Sequence, residues 1–247
     1  MRKIKYIISL LVAALLFFAT SCKKDSENLS KITYFPVMTL IGDGTIILPE
    51  GATYTDSGVT STINGSPVPV TTSVSGDYFP YTGSQVDVTS PNKYILSYTS
   101  KNTDGFSHSI YRNVYVVKTG DLVNSIEGLY TSTVVRNTVS APQYTNMQYV
   151  MIIKTGANTY ELSDDIGGYY DIGRGYGAAY RATGIVVTAN NIATNSFSFA
   201  PVVPVGAFGG NLTMVSFTVD PVAKTINFET DWDAGFNFVI TLTQVNI

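Results

Sequence analysis

The sequence predicts an all-β protein of two domains behind an export leader. Three observations carry this. Thr, Val, Ile and Tyr fill the periodic stretches and charged residues are only 13% of the chain, a composition suited to half-buried strands. Apolar residues recur at a spacing of two, most plainly from Phe236 to Thr243. No stretch after the leader carries the three-to-four spacing of an amphipathic helix.

The leader, residues 1–21, opens with Arg2, Lys3 and Lys5 and continues as an apolar run from Ile7 to Ala19 interrupted by Ser9. As a helix that run would reach roughly 20 Å, short of a hydrocarbon core of about 30 Å. A basic start, a short apolar stretch and small residues after it read as a secretory signal. Ala19-Thr20-Ser21-Cys22 resembles the bacterial lipobox, with Ala19 where that pattern more often has Leu. The resemblance implies that Cys22 is lipidated and becomes the N-terminus, and that several acyl chains anchor it firmly. Cys22 is the only cysteine, so no internal disulfide can form. Residues 22–32 read as a tether; their charged tract, Lys23 to Asn28, is similar to those of surface-exposed lipoproteins of Bacteroidetes. The outer membrane is the location this implies.

The whole chain has a net charge of −3, and loss of the leader's three basic residues takes the remainder to −6. There is no basic patch to neutralise a phosphate backbone, so nucleic acid is not an expected partner.

Residues 33–118 predict a first β unit. Strands are expected at Tyr34–Ile41, Thr45–Leu48, Val59–Ile63 and Val68–Ser73, with Asn64-Gly65 as the hairpin turn between the last two, because both residues tolerate positive φ. Tyr94, Leu96 and Tyr98 alternate with Ile95, Ser97 and Thr99, and Asp104-Gly105 turns the chain into Ser109–Val117. About seven short strands in this length fit an immunoglobulin-like sandwich. The segments Gly51 to Val59, Lys93 to Thr99, Asp104-Gly105 and Arg112 to Val116 resemble a bacterial Ig-like family found in tandem on surface proteins, with Lys93 where Gly is usual. That resemblance implies a spacer or protein contact and no activity.

Residues 119–125 read as the linker and 126–247 as a second antiparallel unit. Leu129–Arg136 and Met147–Lys154 are expected strands, followed by shorter ones at Tyr160–Leu162, Tyr169–Ile172, Ala179–Ala182, Ile185–Thr188 and Ser196–Phe199. Pro201–Gly210 reads as a loop, and Thr213–Val219, Thr225–Thr230 and Phe236–Thr243 complete the unit. The last strand sends Phe236, Phe238, Ile240 and Leu242 to one face and Asn237, Thr241 and Thr243 to the other, as an antiparallel sheet with one wet face requires. A lipocalin-like barrel or closed sandwich follows from so many short strands. Gly128-Leu129-Tyr130, Tyr160 to Asp164, Gly167 to Tyr170 and Trp232 to Leu242 resemble the C-terminal domain of Bacteroidetes lipoproteins that accompany polysaccharide-utilisation transport systems.

Catalytic sets do not assemble. The sole histidine, His108, follows a turn and has no nucleophile in an elbow context. Zinc needs several His or Cys ligands. Glu161, Asp164, Asp165, Asp171, Glu229, Asp231 and Asp233 could supply a glycosidase pair, yet most fall at strand ends or turns, where Asp serves local hydrogen bonds. Gly173 to Gly177 lacks the helix that a dinucleotide fingerprint opens. No catalytic residue, metal or cofactor is assigned.

One cluster remains. Tyr169, Tyr170, Asp171, Arg174, Tyr176, Tyr180 and Arg181 crowd into a Gly-rich stretch, and Trp232 sits between Asp231 and Asp233. Sugars present flat C–H faces rimmed by hydroxyls, which aromatic planes and Asp or Arg side chains match. The same rings also suit a core, where Tyr and Trp are common anchors. The expected function is a non-catalytic surface lipoprotein that binds glycan for an uptake system, with an outer-membrane transporter as partner. A protein-docking or adhesion subunit and a carrier using a barrel interior are the alternatives.

Overall fold

The computed structural model describes residues 32–247; the leader, Cys22 and the charged tether lie outside the described residues. The first unit contains β1 (Val37–Leu40), β2 (Thr45–Pro49), β3 (Val59–Ile63), β4 (Ser66–Pro67), β5 (Val70–Gly76), β6 (Thr82–Gly83), β7 (Asn92–Lys101) and β8 (Ser107–Val117). They form a three-stranded sheet, β1-β3-β4, and a five-stranded sheet, β2-β8-β7-β5-β6, the two-layer arrangement of the Ig-like expectation. Tyr94, Leu96 and Tyr98 point inward from β7 and meet Met38, Val74, Val114 and Val116. Asn64 and Gly65 both take positive φ at the β3–β4 turn, as their identity requires. The hairpin is shorter than expected, since β3 pairs with Ser66–Pro67 and β5 then joins the opposite sheet beside β7. Proline at 67 and 69 lacks the amide that a longer ladder needs.

The residues between the units make an ordered turn. The Asp121 carboxylate accepts from the Val123 and Asn124 amides at 2.9 and 2.6 Å, and Leu122 is buried in the core of the second unit.

The second unit contains β9 (Gly128–Arg136), β10 (Met147–Lys154), β11 (Thr159–Leu162), β12 (Val186–Asn191), β13 (Ser196–Ala200), β14 (Val203–Val205), β15 (Gly209–Asp220), β16 (Thr225–Trp232) and β17 (Phe236–Gln244). One nine-stranded antiparallel sheet runs β13-β12-β11-β10-β9-β17-β16-β15-β14. Its edge strands β13 and β14 are consecutive in the chain and separated only by Pro201 and Val202. Three residue steps span at most roughly 11 Å, so the sheet must curl until its edges approach. It makes a half-barrel, the curled antiparallel form of the barrel or sandwich that the sequence predicts, in which β13 and β14 do not pair with each other. Phe238, Ile240 and Leu242 of β17 face the concave core, as their alternation demands. Two expected strands, Tyr169–Ile172 and Ala179–Ala182, are instead tight helical turns. Part of the expected loop, Val203–Val205, is the edge strand β14.

Candidate functional site

The long connection between β11 and β12 fills the mouth of the half-barrel, and glycine makes its path possible. Gly167 and Gly168 have φ of 66° and 81°, and a Cβ at Gly167 would lie 2.8 Å from the Ile240 side chain and the Ser132 hydroxyl. The chain can therefore turn left-handed directly against the sheet. Two buried carboxyls tie the start of the segment. Asp164 Oδ1 accepts from the Ile166 amide at 3.0 Å, and Asp165 Oδ2 accepts from the Ile185 amide at 3.1 Å. The Asp165 amide donates to Ala182 O at 2.7 Å, which draws both ends of the segment together. Burial pushes the Asp164 carboxyl up to about 7 and Asp165 well above the usual carboxylate range, so both hold a proton in mildly acidic water.

Beyond these carboxyls a wide helical turn, Tyr169–Gly173, carries two rings inward. Tyr169 stacks on Tyr144 at 4.2 Å and meets the Phe238 edge at 5.4 Å. Tyr170 lies 4.9 Å from Phe208 and 6.3 Å from Trp232. Trp232 is 8% exposed and its Nε1 donates to Gly209 O at 3.1 Å. Tyr169, Tyr170 and Trp232 are thus core anchors, not the presented platform that the sequence allowed. A ring with its faces covered by other rings has none to offer a ligand.

What reaches the surface is a smaller set. Tyr176 is 47% exposed and Phe208 46%, with Tyr180 half-buried between them. Tyr180 lies 4.8 Å from Phe208 and 5.3 Å from Tyr176, with rings inclined by 55° and 64°. Gly175 and Gly177 flank Tyr176 with positive φ, and Gly209 and Gly210 do the same after Phe208. The two loops meet at Gly206, where a Cβ would fall 2.4 Å from Ala179 O, so no larger residue allows their approach. The exposed rings form a faceted patch over a packed aromatic base, rather than a coplanar strip.

The predicted polar residues divide. Arg174 is exposed, its guanidinium 5.9 Å from the Tyr144 ring and 5.8 Å from the Tyr169 ring, so it sits at the patch margin. Asp231 and Asp233 are exposed, accepting from Asn237 and Asn211 at 2.7 Å each. Asp171 is not free for a ligand: it is ion-paired with Arg181. Arg181 also clasps Asp77 of the Ig-like unit through two bonds of 3.0 and 2.9 Å, and Lys93 reaches the same carboxylate at 2.7 Å. Burial works to raise Asp77, but Arg181 and Lys93 outweigh it and hold the carboxyl below its usual range. The guanidinium also lies 5.1 Å from the Tyr78 ring. The segment that presents Tyr176 and Tyr180 is therefore the segment that ties the two units together. A cleft of about 350 Å³ at this joint is lined by Asp77, Tyr78, Glu161, Ser163, Arg181 and Thr183 among others. Asp77 and Arg181 there already have each other and Lys93 and Asp171 as partners.

Sequence reasoning missed Phe208. Its signal was a lone large ring set among Gly206, Gly209 and Gly210, where an apolar side chain has no strand to hide in. The Asp77–Arg181 pair had no sequence signal, since 104 positions separate its members.

Comparison with known proteins agrees with this architecture. The family profile of the bacterial surface protein Ig-like domain matches residues 38–116. A second profile, of a C-terminal domain family, matches residues 119–244, more than half of the chain. The crystal structure of the lipoprotein BT2262 from Bacteroides thetaiotaomicron superposes with a TM-score of 0.63 at 25% identity, covering 85% of this chain and all of that one. No curated protein matches. The chain belongs to this C-terminal domain family, and carries its domain behind an Ig-like domain of bacterial surface proteins.

Proposed function

We propose that this protein is a non-catalytic lipoprotein of the outer-membrane surface that holds glycan on the Tyr176–Tyr180–Phe208 patch for a neighbouring polysaccharide uptake system. One observation carries the reading: three aromatic rings are brought to the surface on Gly-framed loops, over a base of rings that holds them still. Exposed rings on fixed loops lose little conformational entropy on binding, which favours recognition. The inclined facets suit successive sugar units, one C–H face to each ring, with Arg174 at the margin to donate to hydroxyls.

A docking role has its own support. Phe208 and nearby Val202, both about half exposed, carry no polar handle, and an apolar facet without one fits a protein surface. The carrier reading has none, because Tyr169, Tyr170 and Phe238 fill the concave face that a ligand would need.

Affinity electrophoresis of the mature chain through a panel of polysaccharides separates the two. Glycan binding predicts retardation by at least one polymer, weakened about tenfold or more by Tyr176→Ala or Phe208→Ala, with thermal unfolding unchanged. Equal retardation of both variants, or none for the parent chain, would move the assignment to docking.

A further inference from the structure

The end of the Ig-like unit farthest from the glycan patch carries a second apolar surface. Ile32, Tyr34, Phe35 and Val37 are exposed in the arm that leads into β1, and Phe106 is exposed at the β7–β8 turn. Phe35 and Phe106 touch, with ring centroids 5.5 Å apart. The arm is fixed to the turn: Asn102 Nδ2 donates to Tyr34 O at 2.9 Å, His108 Nδ1 donates to Pro36 O at 2.9 Å, and the Phe106 amide donates to Asn102 Oδ1 at 2.8 Å. Rings held out of the core by a hydrogen-bonded frame are a built surface rather than a frayed end.

Its place in the chain decides what covers it. Ten residue steps separate Cys22 from Ile32, a reach of at most about 36 Å. Strand β8 then runs from this turn toward the joint with the second unit, roughly 35 Å away. The apolar patch is therefore the part of the folded protein nearest the anchored cysteine, and the glycan patch lies beyond the joint. Tyr settles at the headgroup boundary of a bilayer with its ring inward and its hydroxyl wet, and Phe sinks its ring into the acyl boundary, while Lys101 beside the turn is exposed to meet anionic headgroups.

We propose that the Tyr34–Phe35–Phe106 surface rests on the bilayer to which Cys22 is attached, so that the Ig-like unit stands on the membrane in a fixed orientation. This rests on the lipoprotein reading, yet its test does not. Cys22, the sole cysteine, can be coupled through its thiol to maleimide phosphatidylethanolamine in vesicles of phosphatidylethanolamine and phosphatidylglycerol. That reproduces the tether whether or not the cell acylates it. Phe106→Trp then places an indole in the patch, while the native Trp232 reports the distant core. With brominated acyl chains, quenching of the Phe106→Trp chain should exceed that of the parent by about twofold or more. Adding Phe35→Ser should reduce it, because the arm loses its membrane-facing ring. Equal quenching of parent and variant would overturn the proposal. So would a dimer of the uncoupled chain that Phe106→Ser dissociates, since a second copy would then occupy the patch.

Discussion

Single residues in this protein separate roles that look alike in sequence. Trp232 and Phe208 are both aromatic, both beside glycine or turns, and 5.9 Å apart. One has its indole donor satisfied and its faces covered; the other projects. Trp232→Ala would open a cavity beneath Tyr170 and Phe236 and leave Gly209 O without its donor. A loss of about 3–5 kcal/mol follows, measured by chemical denaturation. Phe208→Ala should leave the same transition nearly unmoved. The aromatic cluster was legible as a cluster because seven chemistry-bearing residues fall close together. Which rings would be buried was not legible, because that depends on Gly167 and Gly168 turning the chain into the half-barrel. Arg112 shows the same limit: it opens an Ig-like motif, and nothing in the sequence marks its side chain as buried. It is buried, donating to Tyr98 and to the carbonyls of Ile41 and Asp43, and paired with Asp56. Neighbours from two distant loops and from β7 make that burial tolerable.

At the scale of elements, the β11–β12 connection is the device on which the site depends. Its strand-like alternation around Tyr169 and Tyr180 misled the sequence reading, since alternation over so few residues also arises in linked tight turns. By contrast β17 and the middle of β7 were legible, because a long strand with one buried face leaves no competing pattern. The cost of the segment's burial sits at Asp164 and Asp165, whose Oδ2 and Oδ1 respectively find no hydrogen-bond partner among the described residues. With its native pKa raised to about 7, Asp164 keeps its proton after the unfolded chain has released its own near 4. Between those values the folded state binds more protons, so this group's contribution is full below about pH 4 and lost as pH rises to about 7. Asp164→Asn removes that titration. Urea midpoints should show the variant about 2–4 kcal/mol more stable than the parent at pH 8, with the gap closing toward pH 4. A pH-independent difference would contradict the burial of an ionisable Asp164.

Across the whole molecule, one patch of aromatic residues lies at the far end of the Ig-like unit and the other on the segment that joins the two β units. The joint between them is stiffened by apolar contacts of Tyr115, Val117, Leu129, Met151 and Ile153 and by the Asp77–Arg181–Asp171 ion pairs. An interface with both kinds of contact resists the relative motion that is usual between domains. The two-unit order was legible from turn signals and family motifs, which are local. The half-barrel curl and the ionic joint are products of distant pairing, and no local pattern encodes them. In this account the glycan patch is held away from the membrane by the Ig-like unit and is kept rigid by the segment that forms the joint. Hydroxyl-radical footprinting of the mature chain against a polysaccharide panel tests that most directly. At least one polymer should protect Tyr176, Tyr180 and Phe208 while leaving Tyr34, Phe106 and Tyr111 of the Ig-like unit fully reactive. Protection of the Ig-like rings instead, or no protection of the three patch rings by any polymer, would contradict it.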